Sequence, residues 1–311
     1  MSALIDVILP VFLVIGAGWL AARLGLISDA AVDGLMRFAQ GFAVPALLFQ
    51  SIARLDLSAN LDVGLFASFY IGAFTAFGLG ILGARLLGRP GVDAVAIGFA
   101  CLFSNSLLLG VPITERAYGT GALAANYAII AIHSPLLYGA GITLMELTRA
   151  HGQGLSARRL VAQVLRAIFR QPMVLGISAG FAVNLTGLPL PGFVWDGIKI
   201  LGSAAIPTAL FGLGGVLYRY KPEGDSRAIA MVMALSLMIH PLITWLLGSF
   251  VFALTTDQIR SATLTAAMAP GINAYLFAHL YGVAKRVNAS AVALATAASI
   301  GTIWFWLHLL P

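Results

Sequence analysis

MAPGINAYLFAHLYG, residues 268–282, sets Pro270, Gly271 and Asn273 in the middle of an apolar run long enough to cross a bilayer. A lipid-embedded helix must satisfy its own backbone, so a proline, a glycine and an amide side chain at its centre need a physical reason. The surrounding chain is apolar throughout. Of its 311 residues 60% are hydrophobic and only 10% charged, against about 25% charged in soluble domains. The apolar residues come in runs of about twenty, as membrane-crossing helices require, without the short alternation of a barrel. This composition identifies an all-α integral membrane protein.

Ten transmembrane helices are expected, at 3–22, 31–53, 62–86, 93–117, 121–147, 172–188, 192–217, 228–254, 259–282 and 288–309. No Lys or Arg precedes the first apolar run and Arg23 follows it, so it reads as a retained span rather than a signal peptide. Fourteen of the eighteen Lys and Arg fall on one side of this arrangement and four on the other, namely Arg54, Arg116, Lys199 and Arg260. The positive-inside rule then places both termini outside the cytoplasm of a cell inner (plasma) membrane. Basic loops facing anionic lipid account for the net charge of +6, which therefore calls for no nucleic-acid partner. The single Cys101 excludes an internal disulfide.

A shift of 162 residues lays "PVFLVIGAGWLAARLGL" (10–26) on "PMVLGISAGFAVNLTGL" (172–188), and "MRFAQGFAVPALLF" (36–49) on "IKILGSAAIPTALF" (198–211). Twelve of the 41 positions from 10 to 50 are identical. Five spans per half force the halves into opposite orientations, so the repeats are inverted, as in many secondary transporters. Residues 1–147 form the first repeat, 148–171 a basic cytoplasmic linker with an amphipathic helix, and 172–311 the second repeat.

Inverted transporters place substrate at discontinuous helices in matching positions of the two halves. Span 4 carries "FSNSLLLGVP" (103–112) and span 9 carries the opening stretch; both join uncharged polar groups to helix breakers. The expected breaks involve Gly110 and Pro112 in span 4 and Pro270 in span 9. A helix resuming after a break offers a positive N-terminal end worth about half a charge, and two such ends approaching from opposite sides converge on one anion. Asn105 and Asn273, with Ser104, Ser106 and Gly271, are the expected substrate-binding floor. Amides and free N–H groups bind a carboxylate without a permanent buried charge, whereas an Arg at a helix centre costs about 2.5–3.5 kcal/mol. The plainer alternative has each Asn capping a kinked helix.

Spans 2 and 7 hold a second matched pair, "AVPALLF" (43–49) and "AIPTALF" (205–211). Pro45 and Pro207 either line the same cavity or bend two packed helices, with Gln40, Gln50 and Thr208 as nearby polar candidates. His133 and His240 each precede a proline-containing turn near a span centre. They read either as proton relays or as neutral rings bonded to a carbonyl freed by the proline. "GISAG" (176–180) and "GLGILG" (78–83) match a nucleophile elbow and a dinucleotide fingerprint, but lie in spans with no preceding strand and read as helix-packing motifs. The sequons at Asn184 and Asn288 are short matches without weight.

"FAVPALLF" (42–49), "SNSLLLGVP" (104–112), "AIPTALFGLGG" (205–215) and "APGINAYLFAHLYG" (269–282) together resemble the auxin efflux carrier family in its shorter bacterial branch. The resemblance covers essentially all ten spans, and the short central loop favours the bacterial kind. It implies an elevator-type carrier with a scaffold from 1–55 and 172–218, a transport domain from 60–147 and 227–311, and crossing broken helices 4 and 9. It also implies a homodimer and small organic anions, such as malate or malonate, as substrates. No cofactor or metal is expected. The acidic residues lie near span ends, which argues against the rival reading of a sodium- or proton-coupled symporter or antiporter on a related fold. A membrane-embedded enzyme is the remoter rival, since no paired acids or HExxH pattern reaches membrane depth.

Overall fold

The computed structural model describes residues 3–57, 61–150, 156–220 and 222–311. Residues 151–155 of the expected linker and Lys221 of the following basic loop lie outside the described residues. The described residues are helical with no β-strand, so the all-α membrane class expected from composition is what the chain adopts. Seven helices are long and apolar enough to cross a bilayer. They are α1 (Ala3–Arg23), α2 (Asp29–Ala53), α3 (Val63–Leu86), α6 (Thr120–Ala150), α9 (Gly192–Arg219), α10 (Ser226–Val251) and α13 (Lys285–Leu309). Between them lie the shorter α4 (Gly91–Leu102), α5 (106–118), α7 (Ala157–Phe169), α8 (Pro172–Thr186), α11 (Thr256–Ala266) and α12 (Ile272–Tyr281). The expected fourth and ninth spans are each divided in two, α4 from α5 and α11 from α12.

Prolines shape these helices without ending them. The wide π-helical turns at Ala39–Ala43, Ser106–Gly110 and Leu235–Ile239 stop two residues short of Pro45, Pro112 and Pro241. A proline ring crowds the carbonyl four residues back and has no N–H to offer it. Lengthening the hydrogen-bond reach by one residue makes room for the ring and keeps the helix running. Gly110 and Pro112 therefore do not break span 4, contrary to expectation. They sit inside the continuous helix 106–118, and the interruption lies upstream at 103–105. Pro270 does stand within a break, between α11 and α12.

Two tight crossings join the first two helices to α8 and α9. Gly18 of α1 lies directly on the Phe211 carbonyl of α9. At Gly180 of α8 an added Cβ would stand 2.8 Å from the Phe49 carbonyl of α2. Gly214 closes the first crossing from the other side against the Ile15 carbonyl, and Gly176 closes the second, where a Cβ would come 2.5 Å from the Pro45 carbonyl. Small residues let helix backbones meet where lipid supplies no hydrophobic drive for association. Pro45 belongs to helix packing, since its backbone is what Gly176 rests on, whereas Pro207 is exposed; neither lines the two cavities described below. α7 carries no fully buried residue and meets α8 at 81°. Its Val164 and Ala167 lean on the core, Gln163 donates to Glu146 of α6 at 2.8 Å, and Val161, Leu165 and Phe169 face outward.

The glycine crossings generate a test. Gly18→Ala should destabilise the protein by about 3 kcal/mol or more, because the opposing group is main chain and cannot swing aside. Gly16→Ala, two residues away on the opposite face of the helix with open space around it, should be neutral or stabilising by about 0.5–1 kcal/mol through helix propensity. Thermal unfolding of the two variants in detergent measures the contrast.

Candidate functional site

Two chain breaks meet and pair with each other. The Asn105 N–H donates to the Ala269 carbonyl at 2.8 Å and the Gly271 N–H donates to the Phe103 carbonyl at 2.9 Å, closing an antiparallel bridge between Ser104 and Pro270. Each break thus satisfies the other's main chain at a depth where unpaired backbone costs several kcal/mol per group. Phe99 of α4 stacks on Phe277 of α12 with ring centroids 4.0 Å apart, so the two half-helices on one side of the crossing are also packed together.

A cavity of about 210 Å³ opens against this crossing. Its floor is residues 103–108 and 271–273, the break and first turn of α5 together with the first turn of α12. No residue of α4 or α11, the helices that end at the crossing, lines it. The cavity therefore faces the positive ends of two helices. The Ser106 N–H donates to the Ser104 carbonyl at 2.8 Å and the Ala274 N–H to the Gly271 carbonyl at 2.9 Å; the other first-turn amides have no carbonyl four residues back in their own helix.

The five expected floor residues, Ser104, Asn105, Ser106, Gly271 and Asn273, all border this cavity. The Ser104 and Ser106 hydroxyls are 2.9 Å apart and both side chains are buried. The Asn105 side chain makes no capping bond to the helix that follows it. Asn273 is not a cap either: its Oδ1 accepts from the Tyr138 hydroxyl at 3.2 Å. The capping alternative thus describes neither residue. Gln40 also lines the cavity, whereas Gln50, Thr208 and His240 do not. Thr208 donates its main-chain N–H to the Ala204 carbonyl as part of its helix.

The histidines separate. The His240 ring Nε2 lies 3.3 Å from the Phe69 carbonyl of α3, so its partner comes from a neighbouring helix and not from a carbonyl that Pro241 frees. His133 is 3% exposed, lines the cavity and is walled by the rings of Phe69, Tyr70 and Phe103. Neither of its nitrogens completes a hydrogen bond within the described residues, although the Ser104 main chain lies beside the ring.

Several participants are not evident from the sequence. Tyr138, Ser134 and Gln171 join the cavity wall, and only the folded packing of α6 and α8 brings them there. Asn288, matched in the sequence by an inert sequon, is fully buried; its amide donates to the Ala96 carbonyl of α4 at 2.9 Å and to the Ala274 carbonyl of α12 at 3.1 Å. Asn126, 162 residues earlier, donates to Thr265 Oγ1 of α11 at 2.6 Å. The repeat spacing was the available signal: it lays Asn126 on Asn288. A second cavity lies beside the first, sharing Gln40, Ile272 and Leu276 with it and bordered by Arg37 and Arg219. Arg219 is held by Asp29 at 2.9 Å and Asp33 at 2.7 Å.

The sequence profile of the membrane transport protein family matches residues 3–307. The chain belongs to that family. The auxin efflux carrier resemblance drawn from the span motifs agrees with it, and the chain is a transporter by kinship rather than an enzyme. It is 24% identical to a Rhizobium meliloti protein named "Putative malonate transporter", over 100% of this chain and 97% of that protein. A protein of Methanothermobacter thermautotrophicus named "Uncharacterized transporter" is 26% identical over 97% and 96% of the two chains. "Auxin efflux carrier component 5" of Arabidopsis thaliana is 26% identical over 62% of this chain and 63% of its own length.

The buried asparagine predicts a stability effect. Asn288→Leu keeps the volume but removes the two amide bonds to the Ala96 and Ala274 carbonyls, which retain only their own helix bonds, and should cost about 1–3 kcal/mol in thermal unfolding. Asn184→Leu is a matched control, since Asn184 also donates to main-chain carbonyls, of Ile52 and Leu55, but away from the crossing. Both variants should lower stability, and only Asn288→Leu should also weaken binding at the crossing, as read by ligand-dependent thermal shift.

Proposed function

We propose that this chain is a secondary carrier for small organic anions, carboxylates above all, working by elevator-type alternating access. The observation that carries the reading is the cavity floor: two helix N-termini and two asparagines, with no residue from the helices that end there. An anion seated on such a floor receives hydrogen bonds and two aligned dipole ends. The relatives' names point the same way, one mentioning malonate and another auxin, both carboxylic acids.

Ten spans in two inverted repeats give this site its logic. In support, Gly18 and Gly180 are 162 residues apart, and so are their contacts Phe211 and Phe49, so the two glycine crossings are copies of one another. The bridge has the same character, each break donating one N–H to the other. The cavity lies where residues of the proposed scaffold, Gln40, Val44, Leu48 and Ile177, meet residues of the proposed transport domain, Asn105, His133 and Asn273. Relative movement of the two groups of helices would carry the floor past a fixed wall. The adjoining cavity, bordered by Arg37 and Arg219, belongs to the side carrying most of the basic residues, and we read it as the cytoplasmic approach to the site. Both termini then lie outside the cytoplasm of the plasma membrane, and a homodimer embedded in lipid is the functional unit.

The test is uptake into proteoliposomes with labelled mono- and dicarboxylates, with and without sodium or a pH gradient. Asn105→Ala and Asn273→Ala should each raise KM about tenfold to a hundredfold, the loss expected when one hydrogen bond to a charged group is removed. Normal transport by both variants would sink the site, and an absolute sodium requirement would replace this reading with the coupled carrier.

A further inference from the structure

The cavity that holds the proposed anion contains no charged side chain. Among its described lining residues there is no Arg, Lys, Asp or Glu; the polar groups are hydroxyls, amides and the His133 ring. What positive potential it has comes from two helix ends, each worth about half a charge. Together they balance about one negative charge. A second charge would have to sit in a largely apolar enclosure, against Val44, Leu48, Ile130 and Ile177, with nothing to neutralise it. The cost of burying an ion rises steeply when it is unpaired.

His133 adds an independent observation. It is almost fully buried, reaches the cavity, and completes no hydrogen bond among the described residues. A neutral imidazole presents one N–H donor and one acceptor nitrogen, and a protonated carboxyl presents the complementary O–H and C=O. The groups around the ring able to titrate are Tyr70 of α3, Tyr138 of its own helix and, beyond Phe69, His240 of α10; none is a carboxylate.

Resting on the carboxylate-carrier reading above, we infer that the site accepts one negative charge at a time. It takes monocarboxylates, or dicarboxylates with one carboxyl protonated, and His133 meets the neutral carboxyl while the helix ends hold the ionised one. A dicarboxylate thus crosses as its monoanion and brings one proton with it.

The experiment compares labelled malonate with its monomethyl ester, which can never carry a second charge, in proteoliposomes over the pH range in which malonate's second carboxyl ionises. At fixed total concentration below saturation, malonate uptake should fall about tenfold per pH unit above that ionisation, following the monoanion fraction, while ester uptake stays flat. Malonate uptake that holds steady or rises as the dianion accumulates would overturn the single-charge inference and leave the carrier reading standing. Absence of uptake of both probes would overturn the carrier reading itself. For the histidine, His133→Phe should raise the KM for malonate about tenfold more than that for the ester, the effect of one lost hydrogen bond, and His133→Gln should restore part of the difference. Equal changes for both probes would remove His133 from the recognition of the neutral carboxyl.

Discussion

Everything at the centre of this molecule depends on two main-chain hydrogen bonds, from Asn105 to Ala269 and from Gly271 to Phe103. A helix interrupted inside a bilayer exposes amides and carbonyls that lipid cannot satisfy. Placing two interruptions against one another converts two liabilities into a miniature antiparallel pair. The bridge uses one amide and one carbonyl from each break, and the cavity takes its polarity from being lined by the two helices that start at the crossing and not by the two that end there. Phe99 stacked on Phe277 and the Asn288 amide reaching both α4 and α12 hold the same junction from one side.

The surrounding helices serve this junction by different physics. At α1–α9 and α2–α8 the contact is backbone on glycine, with no side chain between, which makes those helix pairs stiff. Around the crossing the packing is aromatic and hydroxyl-rich, with Phe99, Phe103, Tyr138 and Phe277 in mutual contact. The π-helical turns before Pro45, Pro112 and Pro241 let prolines stay inside long helices, while ahead of Pro207 the helix is pinched at Ala204, whose N–H donates three residues back to Leu201.

The class of fold was legible in the sequence because apolar run length is a direct consequence of bilayer thickness. The positions of the two breaks were legible because Asn105 and Asn273 are out of place in lipid-depth helix. The boundary of the first break was not: Gly110 and Pro112 look like breakers in a linear reading, and only hydrogen-bond geometry reveals that a wider turn absorbs them. Tyr138 and His133 could not be assigned either, since their roles come from which face of α6 meets the crossing, a matter of packing rather than periodicity. Asn288 shows a third limit, for a residue can match a surface motif and still be sealed inside the protein.

Because the crossing is fastened by main-chain atoms, it asks little of the side chains attached there. Ser104, Asn105 and Asn273 can be exchanged without untying the bridge, and so can the wall residues opposite. Descendants of one ancestral gene are thereby free to alter what the cavity recognises while inheriting the same junction intact. Such separation of what is held from what holds it is a route by which a lineage acquires new cargo without first having to rebuild its fold.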